Sequence, residues 1–520
     1  MWLQIALAAI IVSFTAFYLY MKHRLSYWKR RGIPEDKGHF PFGSKHAWDF
    51  VQGKMSFTQM TNFAYETHPG EKVVGTYDMF GSPGLVIRDP DIAKLILVKD
   101  FDNFMERKPV HYNMYDSNTK NNRYFPYMLT ELRGQKWKNV RSSLTPVFTS
   151  GKLKNMIPLI HKVADNCETY LDKNIGVEFE AKELLKGYAL DVIISTGFGY
   201  ENDTLNNPEN IFKKHADVLI GKTFSWKLIA AILLFMICPR LLRWLDWAMF
   251  DKNTVDFFAA LIVKTIKERK ESGQRRNDLI DVCVDILEKE RKENEKSVED
   301  KEEAKRRNDE MEKIIIANSL IMFLAGFDTV SNASSLMMYF LAKHQDCQER
   351  LYQEIQEAIE STGSTNFDYA TIMNMPYMEK FFQETFRVYP FTHLERCSKE
   401  EYKIPDTDIV IPKGIFVRYA ATAVFKDEKY YPNPEVFDPE NYSAEKKVDR
   451  HPFVTGAFGH GPRNCIAQRF ATMEVKIVIA RLLSKYKIVP CSKTVDELIP
   501  DPRSRSGQPK GDIWVTVEKR

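Results

Sequence analysis

Residues 458–467 read Phe-Gly-His-Gly-Pro-Arg-Asn-Cys-Ile-Ala. Cys465 sits in a glycine-rich turn, and from Ile466 to Leu483 apolar residues recur at helical spacing, so the turn is expected to run into a helix. Gly459 and Gly461 carry no Cβ, which permits a tight turn and a close approach of the backbone to a flat ligand. Near a helix N-terminus, free N–H groups and the positive end of the helix dipole favour a thiolate. Arg463 adds a positive charge two residues upstream. A lone intracellular cysteine is most often just a buried apolar residue. Two glycines, an arginine and a cysteine at these offsets point instead to a metal thiolate.

The stretch resembles the haem-binding signature of the cytochrome P-450 superfamily, F-G-x-G-x-R-x-C-x-G, with Ala467 in place of the last glycine. The resemblance implies haem b with Cys465 as its axial ligand and Phe458 in the cradle. It further implies a haem-thiolate monooxygenase that inserts one oxygen atom of O2 into a lipophilic substrate. An axial thiolate pushes electron density onto haem iron and favours O–O cleavage.

A second motif lies in a helical pattern from about Met311 to Leu341, where Ala325-Gly326-Phe327-Asp328-Thr329 places two minimal side chains and a hydroxyl on one face. Taken alone, Ala-Gly on a helix signals close packing, and threonine commonly bonds its own backbone. The run is similar to the superfamily's A-G-x-[DE]-T motif, which implies that Thr329 stabilises bound dioxygen and Asp328 feeds protons. Glu384 and Arg387, at i and i+3, resemble its E-x-x-R pair, set among Phe381, Phe382 and Phe386. The usual third partner, the arginine of P-E-R-F, is replaced by Asn441 in Pro439-Glu440-Asn441-Tyr442, so a neutral hydrogen bond is expected to serve there. Trp137 and Arg141 present an indole N–H and a guanidinium one turn apart. With Arg396 and Arg463 they are similar to the superfamily's propionate-binding set.

The 520 residues carry no Gly/Ser-rich or Pro-rich linker in their interior, and 44% hydrophobic and 12% aromatic content supports one large core. Seven scattered cysteines without a C-x-x-C pair argue for a reducing compartment and against zinc. A net charge of +4 on so long a chain gives no reason to expect nucleic acid. Trp2–Met21 is uncharged, long enough to span a bilayer, and followed by Lys22, Arg24, Lys29, Arg30 and Arg31. The basic flank is expected in the cytosol, which makes the N-x-S/T sequons at Asn202, Asn332 and Asn441 irrelevant to glycosylation. A cleaved signal peptide is the weaker alternative, lacking both a preceding basic residue and a clear cleavage site.

The expected organisation is an anchor (1–21), a basic, proline-containing hinge (22–46) and a haem-thiolate monooxygenase domain (47–520) in the endoplasmic reticulum membrane, facing the cytosol. The expected fold is mainly α with small β-sheets, the P-450 fold: strands at Val73–Tyr77 and Gly84–Ile87, helices from about 100 to 390, short strands near Ile404–Pro412, and a last strand at Ile513–Val517. Lys289–Arg307 reads as a solvated helix or loop. Leu228–Cys238 suits the membrane interface, with a buried helix as the alternative.

No flavin or nicotinamide fingerprint is present, so electrons are expected from a membrane-bound NADPH–cytochrome reductase, with a cytochrome b-type donor as a further candidate. Lys136, Lys138 and Arg469 are candidate docking residues. By resemblance, Val110–Met128, Leu228–Cys238, Phe323, Phe327 and Phe391–Leu394 line the substrate pocket. The chain looks closest to the microsomal xenobiotic-metabolising branch, insect members included, with an endogenous lipid or hormone as the other substrate class. The rival readings are a haem-thiolate isomerase or dehydratase, and a membrane-anchored haem-binding protein without turnover.

Overall fold

The computed structural model describes residues 1–107, 121–207, 209–220, 230, 234, 238, 241, 244–246, 248, 250–276, 278–297, 300–391, 393–504 and 507–520. Its spine is a 43-residue helix, Lys301–Lys343. Asp300 caps it by accepting from the Glu302 N–H, and Glu302 and Glu303 complement the dipole in its first turn. The helix therefore begins ten residues before the expected Met311: its charged first turns are solvated, and burial sets in near Ile314. Lys289–Arg307 divides between the end of the helix Leu279–Ser297 and the start of this one. Pairs such as Lys289–Glu293 and Glu303–Arg307, one turn apart, support both solvated faces.

Around the spine pack the helices Ala181–Ile193, Leu279–Ser297, Pro376–Val388 and Gln468–Lys485, which build the larger hydrophobic core. A smaller core lies under a four-stranded sheet. In it Val73–Asp78 pairs antiparallel with Ser82–Ile87, which pairs parallel with Phe416–Tyr419, which in turn pairs antiparallel with the edge strand Leu394–Cys397. A three-stranded sheet of Tyr486–Val489, Trp514–Lys519 and Phe179–Glu180 fastens the C-terminal part to the helical core. The expected mainly α architecture with small sheets is what the chain adopts. The strands at Val73, Gly84 and Ile513 differ from expectation only at their ends.

The helix Trp2–Arg24 is exposed from residue 2 to 20, and at about 1.5 Å per residue it matches the thickness of a bilayer. Just beyond it, Trp28 is fully buried against the sheet, its indole N–H donating to the Thr76 carbonyl at 3.1 Å. Gly75 faces that ring so closely that a Cβ would lie 2.3 Å from Trp28 Cγ. The segment expected as a hinge is thus fastened to the sheet. All seven cysteines are free.

Candidate active site

Where the helical and sheet cores meet lies a cavity of about 400 Å³. Its walls are mostly apolar: Leu394 comes from the sheet, Leu279, Val330 and Phe386 from the helices, and Phe458, Gly459, Cys465, Ile466 and Ala467 from the glycine turn. The turn closes through hydrogen bonds from Cys465 N to Phe458 O and from Asn464 N to Gly461 O, each 3.0 Å. Gly461 sits at φ +74°, and a Cβ there would come 1.9 Å from the Leu97 carbonyl oxygen. Gly459 is also left-handed and lines the cavity, so of the two glycines it is the one that leaves the cavity face open. The helix starts at Gln468, after Ala467.

Cys465 lies inside the protein, yet its side chain is exposed because it faces the cavity. Burial pushes the thiol up, whereas the Ala467 N–H and then Arg141 pull it back towards the thiolate. The thiolate expected from the helix end alone is therefore not favoured without a metal. A bound metal ion would deprotonate the thiol outright.

Four guanidiniums converge beside the turn. Arg141 donates to Asn464 O at 2.9 Å and Asn464 Oδ1 at 2.8 Å, which ties the cysteine turn to the helix Gly134–Leu144. Arg463 donates to the carbonyls of Met105, Leu129 and Leu132 and lies 4.1 Å over the Trp137 ring. Arg396 is buried behind the cavity wall rather than on it, and among the described residues its Nε and Nη2 have no partner. Burial and then Arg107 pull both Arg396 and Arg463 down to about 9. A cationic cluster this poorly compensated calls for an anion in the cavity. Arg107, a cavity residue, was not singled out from the sequence.

On the opposite wall the long helix presents Met322, Ala325, Gly326, Thr329 and Ala333. Gly326 admits Ile193, whose Cδ1 would lie 3.3 Å from an added Cβ. Thr329 Oγ1 donates to the Ala325 carbonyl at 2.6 Å, the backbone bond that threonine commonly makes. Asp328 is not part of the cavity wall; Gln508 Nε2 donates to its Oδ1 at 2.8 Å.

The Cytochrome P450 family model matches residues 47–515. Cytochrome P450 6a2 of Drosophila melanogaster is 32% identical, covering 98% of this chain and 99% of its own length. Cytochrome P450 6B1 of Papilio polyxenes is 32% identical over 99% of each chain. Cytochrome P450 3A9 of Rattus norvegicus is 31% identical, covering 98% of this chain and 96% of its own. The chain belongs to the cytochrome P450 family. It is a cytochrome P450 monooxygenase, and the family's cofactor is haem b on a cysteine thiolate.

The residues present fit that cofactor. A P450 haem is flat, apolar over its faces and doubly anionic at one edge. The cavity offers apolar walls, a thiol, the Cβ-free Gly459 and the guanidiniums of Arg107, Arg141 and Arg463. Phe458 adds a ring stacked near Phe382, at 6.1 Å.

Away from the turn, Glu384 and Arg387 form a fully buried bidentate pair at 2.7 and 2.8 Å, with Arg387 also donating to the Phe425, Pro434 and Val436 carbonyls. Asn441 Nδ2 donates to Glu384 Oε1 at 3.1 Å, the neutral bond expected where P450s usually carry a charge.

Two pocket expectations are corrected. Phe323 and Phe327 do not line the cavity; they are fully buried, with the Phe323 ring edge-on to Phe198 and tilted against Phe258 and Phe327. At about 100° per residue, Phe327 points roughly 160° away from Ala325 and Thr329. Within the loop expected at Val110–Met128, residues 110–120 lie outside the described residues; Phe125 and Met128 are core, and the wall is made by the next two residues, Leu129 and Thr130. Leu228–Cys238 lies mostly outside the described residues. Phe391, His393 and Leu394 do line the cavity. Phe327→Ala is accordingly expected to cost about 3–5 kcal/mol of stability, read by urea unfolding, and to leave the product distribution of the surviving protein unchanged.

Proposed function

We propose that this P450 is anchored by residues 1–21, fastened through 22–46, and uses its 47–520 domain to insert one oxygen atom of O2 into a lipophilic compound arriving from the bilayer. Electrons come from a membrane-bound NADPH–cytochrome reductase. The observation that carries the reading is an apolar cavity that joins Cys465 to the Ala325–Thr329 face. The chemistry haem supplies when bound is reductive splitting of dioxygen, favoured by thiolate donation.

The chain's own groups have distinct tasks in this reading. Cys465 is the ligand, with its charge favoured by the Ala467 N–H and Arg141. Trp137, Arg107, Arg141, Arg396 and Arg463 hold the anionic edge of the cofactor. Ala325 and Gly326 leave space above it. Thr329 donates its hydroxyl proton into the cavity when the Ala325 bond gives way, and Asp328 replenishes protons from behind the wall. Thr329→Ala is expected to leave the carbon monoxide spectrum intact and lower product formed per NADPH consumed by roughly 10²-fold, measured with reductase, NADPH and a lipophilic probe. Unchanged coupling removes Thr329 from proton delivery.

Placement in the endoplasmic reticulum membrane with a cytosolic domain is supported by the exposed apolar helix and its basic flank. The three sequons agree with it. Asn332 and Asn441 are buried, and Asn202 is engaged with Asp191 and Thr204, so glycans on these side chains would conflict with folding. For reductase docking, Lys136 and Lys138 form solvent-exposed ion pairs with Glu310 and Asp102, which are easily exchanged, and Arg469 is exposed. The reading is tested by reducing the purified protein under carbon monoxide, then assaying NADPH-dependent substrate loss with reductase. A red-shifted Soret band with turnover supports it, and substrate loss without NADPH overturns it in favour of an isomerase.

A further inference from the structure

Most polar side chains on the cavity wall are already engaged. Arg107, Arg141, Arg463 and Asn464 belong to the cationic side around Cys465. Thr196 and Thr329 are bonded to their own helices at Val192 O and Ala325 O, and Asn318 spans Leu129 N, Tyr127 O and Ile314 O. That leaves Thr130 and His393. His393 is held in a way a merely space-filling residue does not need: Nε2 lies 2.9 Å from Glu395 Oε2, and Phe57 meets its ring edge-on at 5.1 Å. His393 and Glu395 are two residues apart at the start of the edge strand Leu394–Cys397, where alternation puts both side chains on one face. Arg418 lies 4.0 Å over Phe57 from the neighbouring strand and is itself paired with Asp78.

Glu395 keeps its negative charge: although burial acts to raise it, His393, Arg418 and Arg107 hold its carboxyl below the usual range. A carboxylate accepts only, so the imidazole must donate through Nε2. In the neutral ring Nδ1 is then left as an acceptor, and among the described residues it has no partner. We propose that His393, tethered by Glu395, is the polar anchor of the substrate chamber and accepts a hydrogen bond from a hydroxyl group on an otherwise lipophilic substrate. The proposal rests on the monooxygenase reading above and names its substrate class: apolar molecules with a hydroxyl on the part of the molecule remote from the oxidised carbon. Apolar walls supply most of the affinity, and one directional bond selects the end that docks at the strand.

The test uses haem-loaded full-length protein and two matched probes, 4-hydroxybiphenyl and 4-methylbiphenyl, whose dissociation constants are measured by equilibrium dialysis. The hydroxyl probe is expected to bind about tenfold more tightly than the methyl probe. In His393→Phe the ratio should fall to about one, in Glu395→Gln it should drop part of the way, and in His393→Asn, which keeps an acceptor, it should largely return. A ratio near one in the unaltered protein, or an unchanged ratio in His393→Phe, overturns the anchor. Should His393→Phe fail to retain haem, Glu395→Gln decides, and an unchanged ratio there overturns the tether. The carbon monoxide band recorded on every sample separates the two readings: its presence with a flat ratio sinks the anchor alone, and its absence from the unaltered protein sinks the haem-thiolate reading beneath it.

Discussion

Replacing Cys465 by alanine is expected to remove the strongly red-shifted carbon monoxide band and to bring NADPH-dependent turnover to background. Loss of an outer-shell partner costs a metal site about 10- to 100-fold in affinity, and loss of the ligand itself should exceed that. Within the turn no other side chain can take its place, and His393 on the cavity wall is tethered to Glu395. His460, five residues away in the same turn, does not line the cavity; its ring stacks on Phe453 at 4.2 Å and crowds Gly456. A band at the ordinary histidine-haem position is therefore not expected from the variant, and the cavity should bind haem weakly through its walls and cations alone. Cys465→Ser separates ligand from volume: it restores the bulk with an alcohol that ionises far less readily than a thiol, so it should behave like the alanine variant. An unchanged red-shifted band in either protein would remove Cys465 as the ligand.

The cysteine turn was legible because its determinants are local. Gly459, Gly461, Arg463 and Cys465 act within eight residues, and the turn closes on itself through Phe458 and Gly461. Even so, Gly461 proves necessary for a different reason than ligand approach, since it presses on the Leu97 carbonyl from a distant part of the chain. Arg107 and the Arg141–Asn464 fastening depend on contacts across hundreds of residues, which no periodicity encodes. Phe327 is the instructive error. Its aromatic character fitted a lipophilic pocket, but the helical period, with Ala325 and Thr329 taken as the open face, already turned it towards the core. His393 falls within Phe391–Leu394, which the resemblance put in the pocket, but its pairing with Glu395 is readable only from their spacing at the start of a strand. The anchor helix was readable from hydropathy, whereas the burial of Trp28 was not, because it depends on Gly75 in a strand.

Glu384→Ala is expected to cost the fold heavily. Both members of the Glu384–Arg387 pair have side chains with no solvent exposure, and each is fully used. Arg387 donates to Glu384 at 2.7 and 2.8 Å and to the carbonyls of Phe425, Pro434 and Val436. Glu384 also accepts from Asp438 N at 2.8 Å and from Asn441 at 3.1 Å. Truncating the acid leaves a guanidinium, a backbone N–H and an amide buried without their partner, a loss of about 3–5 kcal/mol. Set against a total stability of about 5–15 kcal/mol, that is enough to threaten the fold. Asn441→Ala removes one hydrogen bond from a neutral amide to the carboxylate and should cost about 1.5–3 kcal/mol. The order matters more than either figure, because it distinguishes a charge pair that organises the loop from an amide that merely joins it. The helix Pro376–Val388 carries Phe382 and Phe386 to the cavity wall, so loosening its end should release haem before the rest unfolds. Urea titrations followed by the carbon monoxide band and by far-ultraviolet circular dichroism check both points: the band should disappear at lower urea than the helix signal in Glu384→Ala. Coincident transitions at the midpoint of the unaltered protein would mean that the three carbonyls hold Arg387 without the acid.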